Sequence, residues 1–436
     1  MNFAKWFFIN ELLESVQSDQ QHWYMFNQCL YGEDSEMLLE AAKPWAGVQL
    51  LTPGEMNPKT DVEEKEKRYG VKLTHPKTGR SFHNAIMHLS PANESGFKCC
   101  AWHTPGCASV CLHVAGDPSR LGGKIGGRLR RTFWLAHDAD SFMSRLGEEI
   151  EKAKEKAEED GKHLAVRLNG TSDIPFEGSQ YEVKDVNGAT VKPTLMKQFP
   201  DVIFYDYTKG YRRMLNYLNG KFPPNYHLTY SLSEKAESRM HADEILEKGG
   251  NVAIVFNCYR GQPLPKVWVT RNGQGHKIKV IDGDRHDLRF LDEKGVVVGL
   301  RAKGDALWDA SGFTVQPEDP HLQAPENEEW VHMAMDKRSK RDKNWLARGR
   351  RHLRQGGSKN SIPGGPGAQR RLASIIHKDK EREVNKVRKS FEDYAKESGH
   401  GRNGIAAASE DEMPYLHRKE MEGEIAQQRK KRISLL

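Results

Sequence analysis

The sequence predicts an α/β protein with a mostly parallel sheet, for which a (β/α) barrel-like closure is an open alternative. Four short apolar runs rich in β-branched and aromatic residues predict strands, and helical patterns separate them at about 210–219 and 234–248. Because strand and helix alternate at this spacing, crossover connections and parallel strand pairing are expected. The four runs are LAVRLNG (164–170), DVIFYDYT (201–208), YHLTYSL (226–232) and NVAIVFN (251–257).

The elements on either side of these strands differ from them. Residues 1–50 carry apolar side chains at three- and four-residue spacing, which predicts helix, and residues 52–80 form a polar connection rich in Pro and Gly. A Cys-rich loop follows, and a second helical pattern runs from about Arg131 to Glu159. Later apolar runs, which close the sheet or form an antiparallel edge, lie at 266–270, 277–283, 287–292 and 296–302.

The charge of the chain is distributed unevenly. The 436 residues carry a net charge of +7, yet residues 331–436 hold 26 basic and 14 acidic side chains, a net of +12. Residues 1–330 hold 41 basic and 46 acidic side chains, a net of −5, which excludes a uniformly basic nucleic-acid binder. We therefore expect a helical N-terminal region with a linker (1–80), an α/β core with the Cys-rich loop (81–317) and a basic, partly disordered tail (318–436).

The basic tail suits contact with nucleic acid. Its Lys and Arg side chains can neutralise phosphates and release counterions, whereas the alternative is a solvated tail that binds nothing specific. The predicted nucleic-acid contacts are Arg348, Arg350, Arg351 and Arg354.

The sequence lacks the features of a membrane or secreted protein. No run approaches the roughly 18 uncharged apolar residues of a membrane span. Glu11 and Glu14 interrupt the apolar N-terminal stretch, and no signal-peptide cleavage site follows it. Six cysteines in 436 residues are too few for a disulfide framework. We therefore expect a protein without membrane contact in a reducing compartment.

Four of the six cysteines cluster in one loop, which predicts a metal site. Thiolate and imidazole ligands suit zinc or an iron–sulfur cluster. Three Cys ligands with one open iron position would make a catalytic cluster, whereas three Cys and one His would make a closed structural zinc site. Buried thiols in a compact loop are the alternative. The candidate ligands are Cys100, His103, Cys107 and Cys111.

Polar side chains gather where the predicted strands end. The carboxyl ends of parallel strands face one crevice, which predicts a functional site there. Turn and N-cap chemistry is the alternative for the loop over 169–173. The candidates for acid–base catalysis, cation binding or phosphate pairing are Asp173, Glu177, Asp206 and Lys209. The substrate-binding candidates are Asn169, Thr171, Ser172, Tyr207, Thr208 and Ser231.

Two other motifs carry charge. The basic motif KIGGRLRR (124–131) places arginines where they face a phosphate or lie on a solvated helix start. The acidic motif IDGDRHDLRFLD (281–292) resembles a cation loop, whereas its Asp-Gly pair favours a β-turn. Neither motif has the spacing of a phosphate loop or a calcium hand.

Over residues 85–315 the sequence resembles a family of bacteriophage proteins. The resemblance implies a phage protein located in the host cytoplasm. The blocks that carry it occur in order and are SPANESG (90–96), GC…C (106–111) with AGD (115–117), RLNGTSDIPFE (167–177), FPDVIFYDYTK (199–209), NYHLTYSLSE (225–234), NVAIVF (251–256) and VIDGDRHDLRFLD (280–292).

The order of elements is also similar to that of phage proteins of radical-SAM type. In those proteins a Cys-rich loop opens a helix, one strand ends in Ser/Gly-Asp and another ends in Tyr-Thr-Lys/Arg. The cysteine spacing departs from the usual motif of that class. The resemblance implies an iron–sulfur cluster on Cys100, Cys107 and Cys111, bound S-adenosylmethionine, and a barrel mouth lined by Asp173, Thr208 and Lys209.

Two functions from different classes fit these observations. The first is a phage-encoded, metal-dependent α/β enzyme that acts on a nucleotide or nucleic acid. The second is a non-catalytic nucleic-acid-binding protein of phage DNA replication or host takeover, in which zinc staples the Cys-rich loop.

Overall fold

The computed structural model describes residues 45, 47–56, 60–92, 95, 97–111, 121–184, 189–272, 275–303, 306–307, 309, 311–338, 340, 344 and 389. The chain divides into two units, Met1–Val48 and Gln49–Leu436, and the architecture below is that of the second. The helical pattern predicted for residues 1–44 and the four tail arginines, Arg348, Arg350, Arg351 and Arg354, lie outside the described residues.

Strands and helices alternate through the described part of the second unit. The strands are β1 (Leu51–Pro53), β2 (Phe82–Met87), β3 (His163–Arg167), β4 (Val183–Lys184), β5 (Thr190–Val191), β6 (Ile203–Thr208), β7 (Tyr226–Ser231), β8 (Val252–Phe256), β9 (Val267–Val269), β10 (Lys277–Asp282) and β11 (Val297–Arg301). The helices are α1 (Val62–Tyr69), α2 (Pro105–Ser109), α3 (Leu121–His137), α4 (Ala139–Glu159), α5 (Leu195–Gln198), α6 (Tyr211–Leu218) and α7 (Ala236–Glu247), and residues 328–338 are helical as well. None of these described helices is long and apolar enough to span a bilayer.

One nine-stranded sheet organises the unit, with the order β1-β2-β3-β6-β7-β8-β11-β10-β9. Neighbours from β2 through to β10 pair in parallel, whereas β1 and β9 pair antiparallel at the two edges. The short strands β4 and β5 form a separate antiparallel pair. The prediction of an α/β fold with a mostly parallel sheet is confirmed.

The barrel-like closure allowed by the sequence is wrong. Closing a barrel requires the first and last strands of the sheet to pair with each other. Here β1 and β9 lie at opposite ends of the order, and in the described residues each pairs only with its one neighbour. The sheet is therefore open.

Both faces of the sheet are covered, and alternate side chains of one strand show how. Successive residues of a strand point to opposite faces. Asp206 of β6 and Tyr226 of β7 point to the face covered by α6, because the Tyr226 hydroxyl contacts both Asp206 and the α6 side chain Arg213. Tyr205 points to the other face, where its ring lies 5.5 Å from that of Phe290.

The segment around Phe290 is not the strand that its sequence predicts. Residues 287–292 form a turn with a short 3₁₀ helix, Arg289–Leu291. Leu288 and Phe290 pack against the sheet with Tyr205, and the Arg289 guanidinium lies 3.2 Å from the carboxylate of Asp292. The turn packs its apolar side chains against the face of the sheet. Their burial therefore does not require the segment to pair with another strand.

A buried cluster fixes the β9 edge to the elements that follow the sheet. The Trp268 ring of β9 stacks on the His321 imidazole with a centroid separation of 4.2 Å, and its Nε1 donates to Asp243 of α7 at 3.0 Å. The imidazole also contacts two carboxylates, Asp319 at 2.8 Å and Asp243 at 3.3 Å. Burial acts to lower the pKa of His321, but the two carboxylates outweigh it and raise the pKa above its ordinary value.

This histidine makes part of the stability depend on pH. Because its pKa is raised in the folded state, the stabilisation is complete below the ordinary histidine pKa of about 6.5 and is lost as the pH rises through the raised value. We expect His321→Gln to cost more unfolding free energy at about pH 5.5 than at about pH 9, as measured by urea denaturation. An equal cost at both pH values would contradict this role.

Candidate functional site

The Cys-rich loop lies across the ends of three neighbouring strands. The loop over 97–111 meets the chain that follows β3 (168–173), the end of β6 (208–210) and the end of β7 (231–234). These segments together are called the mouth below. Because β3, β6 and β7 are adjacent and parallel, their carboxyl ends share one edge of the sheet, as the sequence predicts.

Backbone pairing attaches the Cys-rich loop to the chain after β3. Cys100 and Asp173 form a parallel β-bridge, and the Asp173 N–H donates to the Cys99 carbonyl at 2.8 Å. The Cys100 sulfur accepts from the Ala92 N–H at 3.2 Å, and its S–H donates to the Thr171 carbonyl at 3.7 Å. The loop is thereby held against the residues predicted to bind substrate.

A second attachment uses Glu234, which sequence reasoning overlooked. Its carboxylate accepts from the Thr104 hydroxyl at 2.6 Å and from the Gly106 N–H at 2.8 Å. The Thr104 hydroxyl in turn caps α2 by accepting from the Cys107 N–H at 3.3 Å. A Cβ added at Gly106 would lie 2.6 Å from the Glu234 carboxyl carbon, so any other residue there would displace the Glu234 side chain. Glu234 ends the SLSE run after β7, so the strand-end rule that selected Ser231 also applies to it.

Asp173 is a buried acceptor at the centre of the mouth. One carboxylate oxygen accepts from the Lys209 N–H at 2.8 Å and the Thr208 hydroxyl at 3.2 Å, and the other accepts from Arg213 at 2.8 Å. Burial raises the pKa of Asp173, and the Arg213 charge opposes that rise. These contacts hold the end of β6 against the chain that follows β3.

Arg213 also connects the other two predicted carboxylates, Glu177 directly and Asp206 through the Tyr226 hydroxyl. Arg213 forms a fork to Glu177, with N–O distances of 2.8 and 2.6 Å. Asp206 accepts from the Asn169 N–H at 2.7 Å and from the Tyr226 hydroxyl at 2.7 Å. Burial raises the pKa of Asp206 to about 6, against the lowering effect of the Arg213 charge. This network lies on the helix-covered face of the sheet, where it supports the mouth from below.

The hydroxyl and amide groups of the 169–173 loop bond within the protein. The Asn169 side chain accepts from the Ser172 hydroxyl at 2.8 Å and the Ile174 N–H at 2.8 Å, and the Thr171 hydroxyl donates to the Leu89 carbonyl at 2.6 Å. The turn chemistry that the sequence allowed is present. The loop is rigid support for the mouth, and its backbone faces the Cys-rich loop.

Two of the predicted side chains, Lys209 and Ser231, lie side by side at the mouth itself. The Lys209 ammonium donates to the Ser231 hydroxyl at 2.7 Å and to the Leu232 carbonyl at 3.1 Å, and it lies 4.9 Å from the centre of the Phe313 ring. Tyr207, also predicted at this site, points to the face opposite Asp206, where the Arg167 guanidinium lies 4.7 Å from the centre of its ring.

The thiols of the mouth lie in a buried, electronegative setting. Burial raises the pKa of Cys100 well above its usual value, and the Asp173 carboxylate raises it further. Burial also raises the pKa of Cys107, while the Lys209 charge acts to lower it. The Asp173 charge raises the pKa of both thiols, Cys100 and Cys107, and the Lys209 N–H donates to the Asp173 carboxylate.

The thiol and imidazole groups of the mouth are ligand types that zinc and iron–sulfur clusters use, but in this structure they are not arranged around one ion. The His103 Nδ1 contacts the Cys100 carbonyl at 2.7 Å, and a carbonyl can only accept, so Nδ1 carries the proton and Nε2 keeps its lone pair. Yet no three or more His, Cys, Asp or Glu side chains are grouped to hold one ion in the part of the chain that is described. A bound metal would require the thiols to move together.

Residues 58–317 match the protein family described as Gene product 88, a family of bacteriophage type. The match spans more than half of the chain, so the chain belongs to this family. No curated protein and no solved structure matches the sequence significantly.

Proposed function

We propose that this member of the Gene product 88 family is an enzyme whose reacting centre is the mouth and whose substrate is a nucleotide or nucleic acid. The observation that carries the proposal is the Cys100–Asp173 bridge, which brings the Cys-rich loop onto the strand ends beside Lys209. Fixed backbone contacts of this kind give a reacting centre the rigidity that catalysis requires.

The side chains of the mouth divide into those that face the substrate and those that position them. Lys209 offers a cation beside Ser231 for a phosphate or carboxylate. Asp173, Glu177 and Asp206 bind Arg213, Asn169 and Tyr226, and so fix the strand ends. Because these three carboxylates are fixed by their partners, Lys209 and the Cys-rich loop keep their positions relative to each other.

The metal-dependent form of the proposal assigns an iron–sulfur cluster to three thiols, Cys100, Cys107 and Cys111. Such a cluster supplies one-electron chemistry when bound, and S-adenosylmethionine is the co-substrate implied for it. What supports this assignment is that the Cys100–Asp173 bridge attaches the loop that carries these thiols to the strand ends.

Metal analysis of the full-length protein tests this form. We expect protein purified without oxygen to contain iron and acid-labile sulfide with a broad visible absorption band, and to lose both in Cys100→Ser, Cys107→Ser and Cys111→Ser. Cys258→Ser is the matched control, because Cys258 is buried beyond the end of β8 and should leave the iron content unchanged. Iron-free wild-type protein, or equal loss in the control, would overturn the cluster assignment.

A second candidate function is supported by the His103 contact. The His103 imidazole would add one nitrogen ligand to three thiolates once the thiols had moved together, and such a set is a closed zinc site of the structural kind. The protein would then bind nucleic acid without catalysis, through the tail contacts Arg348, Arg350, Arg351 and Arg354. One zinc ion per chain without sulfide in the same metal analysis would favour this function over the first.

A further inference from the structure

The Cys-rich loop carries an exposed tryptophan at the mouth. Trp102 is 37% exposed, whereas the other four tryptophans among the described residues are at most 4% exposed, namely Trp45, Trp134, Trp268 and Trp330. An indole that only stabilised the fold would be expected in the core, as these four are, and surface tryptophans are enriched where proteins bind a partner. The exposure of Trp102 therefore indicates a role in binding.

A closed turn holds Trp102 at the surface of the mouth. The His103 N–H donates to the Cys100 carbonyl at 3.2 Å, so the turn is closed around Ala101 and Trp102. The His103 Nδ1 donates to the same carbonyl at 2.7 Å, and Cys100 is bridged to Asp173. These contacts fix both ends of the turn, so the indole has a defined position beside the strand ends.

One face of the Trp102 indole lies against the backbone of Gly210. A Cβ added at Gly210 would lie 2.9, 3.0 and 3.1 Å from the indole carbons Cδ2, Cε2 and Cε3. Cδ2 is a ring-fusion carbon with ring atoms on every side in the plane, so another atom comes this close to it and to Cε2 only from above the plane. Gly210 therefore supports one face of the ring, and the exposed surface of Trp102 lies on its other parts.

A cation lies next to this aromatic surface. Lys209 directly precedes Gly210, and its ammonium group donates to neutral oxygens, those of the Ser231 hydroxyl at 2.7 Å, the Leu232 carbonyl at 3.1 Å and the Ser231 carbonyl at 3.3 Å. These hydrogen bonds hold the ammonium group in place and do not neutralise its charge. A flat aromatic surface beside a fixed cation is complementary to a nucleotide, which has a flat base and an anionic phosphate.

We propose that Trp102 is a stacking platform for a base of the substrate, next to the Lys209 ammonium group that binds a phosphate of the same substrate. Every base has a flat π face, so stacking on an indole binds nucleotides without selecting a sequence. The bases of a duplex are stacked on each other, so the platform is expected to bind a free nucleotide or an unpaired strand. The inference rests on the proposed function for the class of substrate and adds to it the residue that binds the base.

Calorimetric titration of the full-length protein with two matched pairs of probes tests the platform. One pair is a short oligothymidylate and an abasic strand of the same length, and the other is adenosine 5′-monophosphate and ribose 5-phosphate. The members of a pair carry the same phosphates, so a difference in affinity within a pair measures the contribution of the base. We expect the wild type to prefer the probe with a base. Trp102→Ala should weaken binding of that probe about tenfold or more and change binding of the base-free probe by no more than about twofold.

Three further variants separate stacking from other effects. Trp102→Phe keeps a flat ring and should retain much of the preference for a base. Gly210→Ala should weaken binding of the base because its Cβ displaces the indole, and it should add little to Trp102→Ala because both changes act on one contact. Met240→Ala is the matched control, since Met240 is 64% exposed on α7, outside the mouth, and its replacement should leave every affinity within about twofold.

The outcomes distinguish the platform from the proposed function. Unchanged affinity in Trp102→Ala, or an equal loss for both members of a pair, would overturn the platform and leave the substrate class standing, and urea denaturation shows whether each variant is folded. A wild type that binds none of the four probes would overturn the substrate class itself. A Trp102-dependent preference in the mononucleotide pair supports a free nucleotide, and one in the strand pair alone supports nucleic acid. The same preference in iron-free protein would support the platform while the cluster assignment fails.

Discussion

Replacing Arg213 by methionine is expected to lower the free energy of unfolding by about 3–5 kcal/mol at about pH 8. The Arg213 side chain is 4% exposed, and it bonds to Asp173, Glu177 and the Tyr226 hydroxyl. Methionine fills much of the same volume but leaves the buried carboxylate of Asp173 and the half-buried carboxylate of Glu177 without their cation. Removing one partner of a buried ion pair costs far more than removing both, because the remaining charge stays desolvated.

The loss of unfolding free energy in Arg213→Met should depend on pH. The Arg213 charge opposes the rise in the pKa of Asp173 and of Asp206, so without it both carboxyls should bind protons at higher pH. A carboxyl whose folded pKa is raised destabilises the fold above that pKa and ceases to do so as the pH falls through it. We therefore expect the loss in Arg213→Met to shrink between about pH 8 and pH 5, as measured by urea denaturation followed by circular dichroism.

Arg212→Met is the matched control. Arg212 is the preceding residue of α6 and is exposed, so its replacement should change the unfolding free energy by no more than about 0.5 kcal/mol. Arg213→Lys keeps the charge but loses the paired donors, so it should lower the unfolding free energy by an intermediate amount. It serves as the test if the methionine variant fails to fold. Similar losses in Arg212→Met and Arg213→Met would show that the network does not support the mouth.

Replacing Trp268 by alanine is expected to cost about 3–5 kcal/mol of unfolding free energy. The side chain is fully buried on β9, and its loss would leave a cavity between the sheet edge and His321. It would also remove one hydrogen bond to the Asp243 carboxylate, the one that the Trp268 Nε1 donates. Because β9 pairs only with β10 among the described strands, this packing is a main attachment of the sheet edge.

Trp102→Ala provides the comparison for this second prediction. Trp102 lies in the Cys-rich loop with 37% of its surface exposed, and it makes its close contact with Gly210 at the mouth. Its replacement should cost less unfolding free energy than Trp268→Ala, because more than a third of its surface is already exposed to water. The midpoints of urea denaturation measure both variants. A Trp268→Ala midpoint close to that of Trp102→Ala would contradict the anchoring role.

Several of the residues predicted at the strand ends come together, whereas their roles in catalysis and substrate binding stay predictions. Asp173, Lys209 and Ser231 do meet at one edge of the sheet with the Cys-rich loop. Period-two alternation, however, sends Asp206 and Tyr207 to opposite faces, and no sequence rule states which face helix α6 covers. Glu234 was missed because its partners, Thr104 and Gly106, lie 130 and 128 residues away along the chain.

The sequence by itself determined the α/β class, the parallel core strands and the clustering of polar residues at their ends, because these follow from local periodicity and chain order. Only the tertiary structure decided that the sheet stays open, that residues 287–292 form a turn, and that Arg213 joins the carboxylates of Asp173 and Glu177 to the Tyr226 hydroxyl. Those features depend on which faces pack together over long separations along the chain. The burial and ion pairing of a side chain are set by such neighbours, so a pattern read along the chain does not contain them.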